Sequence, residues 1–207
     1  MSTGRKLRAL GVAVATVLLA AGCGAAGIHP GAAAVVGGTE ISVRDVENTS
    51  RGVSTALGQN FSSQMTVSEM VNNALVSQVG EEQTIEVSNA EVAEAAKLVV
   101  GDEAAYQKFQ ADPVTRDFLD QVAKSAVTTI KLGGGTGVND PEAQQKQQDG
   151  IAKVKAASKD IKISIAPRFG QWTDGAIDSS ISGSLSQESA QAKAKREAQQ
   201  NAQQGQG

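Results

Sequence analysis

Side chains that can cap an α-helix recur along this chain, and each precedes a run of apolar residues with helical spacing. In three places a Ser or Thr is followed three positions later by an acidic residue, as in a capping box: Ser42 with Asp45, Thr66 with Glu69, and Ser88 with Glu91. Asp102, the pair Asp112-Pro113 and the pair Asp140-Pro141 predict three further helix starts. The sequence therefore predicts a mainly helical fold.

The apolar residues that follow each cap return every three or four positions, so each helix is expected to bury one face. The stripe after Asp112 is the most regular, which makes that helix the expected centre of the core. The predicted inward-facing residues are Val43, Val46, Val53 and Leu57; Val67, Met70, Val71, Ala74, Leu75 and Val79; Val92, Ala95, Ala96 and Val99; Tyr106 and Phe109; Val114, Phe118, Leu119, Val122, Ala126 and Ile130; and Ile151, Val154 and Ala157.

Two short segments have the pattern of β-strands. Residues 34–42 contain a valine pair, the turn Gly37-Gly38 and a second extended piece. In residues 161–165, three isoleucines alternate with Lys162 and Ser164, which predicts a strand with one buried face. The fold is thus expected to add a small β element to its helices.

The N-terminal segment has the features of a bacterial lipoprotein signal. Basic residues open the chain, the apolar run Ala9–Ala21 follows, and the segment Leu18–Cys23 has the form of a lipobox that ends in the single cysteine. Lipid attachment at Cys23 would place the protein at the extracytoplasmic face of a cell membrane. An ordinary secretory signal cut elsewhere and an uncut anchor remain alternatives.

Changes in composition divide the chain into four parts. Residues 1–22 are the expected signal peptide, and residues 23–33 are small and Gly-rich, as in a flexible tether. Residues 34–182 form the expected helical domain. Residues 183–207 are rich in Ala, Gln and Lys and are expected to be disordered, because they have too little apolar surface to bury.

Composition and charge exclude several classes of function. The net charge is −3, and removal of the basic leader would make it more negative, which argues against nucleic acid as the main partner. With Cys23 lipidated, no thiol remains for a disulfide or a thiolate metal site. The single histidine, His29, lies in the expected tether. We therefore predict no catalytic residues, no metal, no cofactor and no enzyme activity.

A glycine-rich segment, residues 132–137, invites comparison with a phosphate-binding loop. It has no following Lys-Ser/Thr pair, no clear strand before it and no acidic residue at dinucleotide-binding spacing. A linker between helices is the favoured interpretation.

Three stretches together resemble the SurA N-terminal-domain family. They are the start Ala33–Ser42 followed directly by a helix, the long middle helices, and the closing segment Ile163–Trp172. The resemblance covers roughly residues 33–175. It implies that Val35-Val36 pairs with the strand at residues 161–165, so that a two-stranded β element joins the two ends of the helical domain.

The same resemblance implies a function and a partner. SurA- and PrsA-like members bind unfolded exported polypeptides, and many carry a parvulin prolyl-isomerase domain. This chain has no room for that domain and none of its histidines. The implied role is therefore chaperone-like binding of unfolded or extended exported chains by a membrane-anchored lipoprotein, without isomerase activity. Phe61, Met65 and Met70 are the candidate client-binding residues.

Two other classes of function remain open from the sequence. The lipid anchor alone is also compatible with an envelope scaffold or a small-solute-binding lipoprotein. A hydrolase is less favoured, because the expected domain contains many serines but no histidine to activate one.

Overall fold

The computed structural model describes residues 28–180, and within them the chain is mainly helical with a small antiparallel sheet. The strands are β1 (Ala32–Val36), β2 (Thr39–Ser42), β3 (Ile163–Ile165), β4 (Gln171–Thr173) and β5 (Ala176–Asp178). The helices are α1 (Val43–Leu57), α2 (Ser63–Glu82), α3 (Asn89–Val100), α4 (Glu103–Ala111), α5 (Pro113–Leu132) and α6 (Ala143–Ala157). The predicted fold class, mainly α with a small β pairing, is confirmed.

Helix α5 is the central element of the described chain. It packs against each of α1, α2, α3, α4 and α6. Its cap is the predicted one, since the Asp112 carboxylate accepts hydrogen bonds from the backbone N–H groups of Val114 and Thr115, with Pro113 in the first turn. Residues 127–130 are all buried, so the second half of this helix has neighbours on every side.

Four of the six predicted caps are present, and two are wrong. Ser88 and Glu91 form a complete capping box, and Ser42 and Asp102 each cap the helix that follows them. Thr66, however, lies inside α2, fully buried.

Ser62 caps α2 in place of Thr66. Its hydroxyl accepts a hydrogen bond from the Met65 N–H at 3.2 Å, so the helix begins one turn earlier than predicted. The Thr66 hydroxyl instead donates to the Ser62 carbonyl, which satisfies it inside the core.

Helix α6 differs from its prediction in start and orientation. It begins at Ala143, because the Asp140 carboxylate accepts hydrogen bonds from the backbone N–H groups of Thr136 and Glu142 and so holds the preceding turn. Ile151, predicted to face inward, is 55% exposed, and Gly150 is buried instead. A Cβ at Gly150 would overlap the Thr129 carbonyl, so close packing on α5 turns the next side chain outward.

The predicted pairing of the two ends of the domain is confirmed. Val35 of β1 lies opposite Ser164 of β3 in an antiparallel ladder. The sheet has three strands rather than two, in the order β2-β1-β3, because β2 folds back on β1 through the Gly37-Gly38 turn. Gly37 has φ +57°, which an L side chain rarely adopts.

The folded domain includes residues that precede its predicted boundary. Strand β1 begins at Ala32, and Ala33 is fully buried, although both residues fall in the expected tether. Ile28 packs against the core as well. The predicted signal peptide and Cys23 lie outside the described residues, as does the tail from residue 183.

Strands β4 and β5 form a hairpin that the sequence did not predict. Its turn, Asp174-Gly175, has positive φ at both residues, as a tight two-residue hairpin requires. Trp172 packs from this hairpin against the core. The hairpin therefore covers the end of the domain next to β3.

The core has two parts. The sheet cluster joins β1, β2, α2 and α6 and includes Val36, Val71 and Val154. The helix cluster joins α1, α3, α4 and α5 and includes Phe109 and Phe118. Met70 packs against both clusters.

Candidate binding surface

The three residues predicted to contact clients occupy different environments. Phe61 is partly buried, and its ring meets Phe118 edge to face at a centroid distance of 6.0 Å. Met70 lies between the two core clusters. Met65 is 51% exposed in the first turn of α2.

Helix α2 connects these residues to two open grooves, one on each side of the contact between α2 and α5. Met70 lines the first groove, whereas Phe61 and Met65 line neither. The grooves differ in chemistry.

The first groove, called here the strand-edge groove, runs between β2 and the facing sides of α2 and α5. It has a volume of about 520 Å³, within the range of about 300–1,000 Å³ that is usual for ligand sites. Four consecutive residues, Gly38 to Ile41, form one wall, and Asn73, Ser77 and Lys124 are among the residues on the helices opposite.

Asn73 is the unusual residue of this groove. It is 4% exposed, and neither its Oδ1 nor its Nδ2 has a hydrogen-bond partner among the described residues. Leaving a buried polar group unpaired costs about 1–3 kcal/mol. A side chain that keeps both a donor and an acceptor unpaired is suited to binding an amide.

The charges along the strand-edge groove are mostly negative. Glu40, Asp45 and Glu81 line it together with one basic residue, Lys124. Asp45 accepts a hydrogen bond from the Ser42 hydroxyl and Glu81 accepts one from Ser77, while Glu40 has no ion pair among the described residues. The groove therefore favours a ligand with positive charge.

The second groove, called here the apolar groove, lies between α2, α5, α6 and the turn of the β4–β5 hairpin. Its volume is about 540 Å³. Leu75 and Val154 form part of its buried wall, and Ile151 and Val99 line it while remaining 55% and 47% exposed. Large aliphatic side chains are thus available to a ligand here.

Three ionisable residues of the apolar groove lie beside this aliphatic surface. Glu69 and Lys155 line it from the helices, and a third ionisable residue, Asp174, lines it from the hairpin turn. Burial raises the pKa of the Glu69 carboxyl above its ordinary value, because the charged form loses hydration. An apolar ligand that covered Glu69 further would raise this pKa again.

Sequence reasoning missed Asn73, and it wrongly predicted that Ile151 and Val99 face inward. Asn73 follows Met70 by three positions and precedes Ala74, so it is a polar residue on the apolar stripe of α2. That interruption was the available signal. Helical periodicity alone places Ile151 in the core. It does not show how closely Gly150 approaches α5, and that approach turns Ile151 outward.

Neither a metal cluster nor a phosphate-binding loop is formed in the part of the chain that is described. Residues 28–180 contain no group of three or more His, Cys, Asp or Glu side chains that could hold a metal ion. The backbone N–H groups of Gly133, Gly134 and Gly135 donate to carbonyls of α5. The glycine-rich segment is a close-packed turn between α5 and α6, and these three N–H groups are not free to bind a phosphate.

A search for membrane-spanning segments among residues 28–180 finds no helix with the length and apolar character to cross a bilayer.

Comparison with known proteins gives no relatives. The sequence matches no protein-family model, and it has no match among curated proteins or among solved structures.

Proposed function

We propose that this protein is an exported, lipid-anchored lipoprotein that binds unfolded or extended polypeptides in a chaperone-like role, without isomerase activity. The observation that carries the proposal is the apolar groove, where Ile151 and Val99 remain exposed beside the buried Leu75 and Val154. An open groove with aliphatic walls suits the apolar side chains that a folded client would bury.

The physical basis of binding is apolar burial. Each square ångström of apolar surface removed from water contributes about 25 cal/mol. The partial exposure of Ile151 and Val99 leaves surface that a client can cover without unfolding the domain. This binding needs no turnover, so the proposed function requires no catalytic group.

The function is tested by aggregation of an unfolded exported protein in the presence of the full chain purified in detergent. We expect suppression that rises with concentration and persists at high salt, because apolar burial is not screened. Prolyl isomerisation of a test peptide should not accelerate. Absence of suppression at several-fold molar excess would contradict the proposal and favour an envelope scaffold or a small-solute-binding lipoprotein.

A matched pair of variants locates the binding surface. Ile151→Ser removes an exposed aliphatic side chain from the apolar groove, whereas Val114→Ser removes one that is 42% exposed but lies outside that groove. We expect the first to weaken suppression severalfold and the second to leave it unchanged. Equal effects would show that the groove is not the binding surface.

The membrane anchor is tested separately through Cys23. Cells that express the Cys23→Ala variant should not incorporate labelled fatty acid into the protein, which should remain unprocessed or be released. Labelling equal to that of the natural chain would contradict lipid attachment at Cys23.

A further inference from the structure

We propose that the strand-edge groove binds a basic polypeptide segment in extended conformation, which adds as a strand beside β2 while the Asn73 amide bonds its backbone. This inference rests on the proposed function and deepens it, since it names a second surface and a mode of binding. The apolar groove would hold apolar side chains, and the strand-edge groove would hold the main chain.

The outer edge of β2 faces the strand-edge groove. In a strand, successive side chains point to opposite faces of the sheet, so a surface on one face is lined by alternate residues. Gly38, Thr39, Glu40 and Ile41 all line this groove. Consecutive lining of this kind indicates that the groove runs along the edge of the strand.

The hydrogen bonds of β1 show which backbone groups of β2 are free to pair. The Ala33 carbonyl and the Gly37 N–H bond to the segment that contains β3. The backbone N–H and C=O groups of odd-numbered residues of β1 therefore point toward β3, and those of even-numbered residues point toward β2. Val36 and Ala34 are paired with Thr39 and Ile41. By alternation, the N–H and C=O of Glu40 point away from the sheet.

A strand with an unpaired edge is a template for an added strand. Main-chain hydrogen bonds then supply affinity that does not depend on the sequence of the ligand. Glu40 offers one donor and one acceptor for this purpose. Within residues 28–180, β2 is an edge strand with no further strand beside it.

Asn73 supplies a second pair of backbone contacts. Its side-chain amide has an acceptor at Oδ1 and donors at Nδ2, and neither atom has a hydrogen-bond partner among the described residues. The residue as a whole is 4% exposed. A peptide group offers the complementary N–H and C=O. An anionic group, which only accepts hydrogen bonds, would leave Oδ1 unpaired.

The charge of the groove selects among peptides. Glu40, Asp45 and Glu81 outnumber Lys124 along its walls, so Lys and Arg side chains on the ligand are favoured and acidic ones are repelled. The chain itself carries net charge −3, which adds a long-range attraction for a basic segment.

Fluorescence anisotropy with a labelled peptide of alternating Val and Lys, with blocked ends, tests the inference on the full chain in detergent. We expect Asn73→Leu to weaken binding about tenfold, because two hydrogen bonds are lost. The same variant should unfold at an equal or higher temperature than the natural chain, because it removes unpaired buried polar atoms. Unchanged affinity would overturn the role of Asn73.

A second pair of variants separates the backbone of β2 from its charge. Glu40→Pro removes the outward N–H, and Glu40→Ala keeps it while removing the same carboxylate. Proline is tolerated in edge strands where its position does not donate to the ladder. We expect Glu40→Pro to bind at least severalfold more weakly than Glu40→Ala. Equal affinities would overturn strand addition.

The probe itself provides a test that does not depend on variant folding. The same peptide with N-methyl groups on alternate residues keeps its side chains but loses N–H donors. The methylated peptide should bind at least tenfold more weakly than the unmethylated one. A peptide with Glu in place of Lys should bind more weakly than the methylated peptide. Equal binding of the methylated probe would overturn the inference.

Failure of this inference is distinguishable from failure of the proposed function. If Ile151→Ser abolishes peptide binding while Asn73→Leu and Glu40→Pro leave it unchanged, the proposed function stands and strand addition is overturned. If the natural chain binds no peptide and suppresses no aggregation, both are overturned.

Discussion

At the scale of single residues, the ion pair between Glu91 and Lys131 stands out because it joins two elements. The Glu91 carboxylate completes the capping box of α3 and contacts the Lys131 ammonium of α5 at 2.6 Å. The Lys131 ammonium also donates to the Glu86 carbonyl. One lysine therefore ties the start of α3 and the preceding loop to the central helix.

This pair predicts a pH-dependent contribution to stability. Hydrogen bonds from Lys131 and then from Ser88 lower the pKa of Glu91 from 4.5 to about 2. A lowered pKa stabilises the fold above the unfolded value and ceases to do so as pH falls through the folded value. The contribution should therefore be present at pH 7 and disappear between pH 4.5 and about pH 2.

The test compares thermal unfolding of Glu91→Gln with the natural chain. We expect a loss of about 0.5–1 kcal/mol at pH 7, within the range of exposed and partly exposed pairs, and a difference that is mostly gone by about pH 2. Glu86→Gln removes the same charge from an exposed side chain nearby and should have little effect. A deficit of Glu91→Gln that stayed constant down to pH 2 would show that the ion pair is not its cause.

At the scale of elements, the contact between α5 and α6 depends on glycines. A Cβ at Gly150 would overlap the Thr129 carbonyl, and one at Gly133 would overlap the Lys146 carbonyl. The two backbones therefore approach more closely than any side chain permits.

Gly150→Ala should destabilise the protein by about 1–3 kcal/mol, as overpacking does. Helix propensity alone predicts the opposite, because Ala is favoured over Gly in a helix by about 1 kcal/mol. The sign of the change in denaturant unfolding thus decides which effect dominates. Gly38→Ala is the control, since no atom lies within 4 Å of its Cβ position. A stabilising Gly150→Ala would contradict the close approach.

The elements differ in how far the sequence predicted them. Helix starts with a local cap, such as Ser88 and Asp112, were predicted because the signal lies within three residues. The prediction that Thr66 caps α2 was wrong because Ser62 and Thr66, one turn apart, can both cap a helix. Packing of Thr66 in the core decides between them. The orientation of Ile151 and the unpaired Asn73 depend on neighbours distant in sequence, so local pattern did not reveal the grooves.

At the scale of the whole molecule, the ladder between β1 and β3 joins the two ends of the described chain. The Gly37 N–H bonds to the Lys162 carbonyl at 2.9 Å, and the Ala166 N–H bonds to the Ala33 carbonyl at 2.8 Å. These bonds flank the pair of Val35 and Ser164.

If this ladder belongs to the cooperative unit, the amides of Gly37 and Ala166 should exchange hydrogen as slowly as those in the middle of α5. Ser164→Pro removes the donor opposite Val35 and should destabilise the fold by about 1–3 kcal/mol. Both flanking amides should then exchange faster. Ser164→Thr keeps the donor and should preserve their protection. Fast exchange in the natural chain would contradict a closed sheet.

The position of β3 also determines the order in which the fold can be completed. A ribosome releases β1 and β2 first, and β3 only after all six helices of the described chain. The edge of β1 that pairs with β3 is therefore unpaired during synthesis. Closing so long a segment is entropically slow compared with forming local helices. The nascent hairpin is therefore the part most exposed to mispairing with other chains, and its brevity, with strands of five and four residues, limits that hazard.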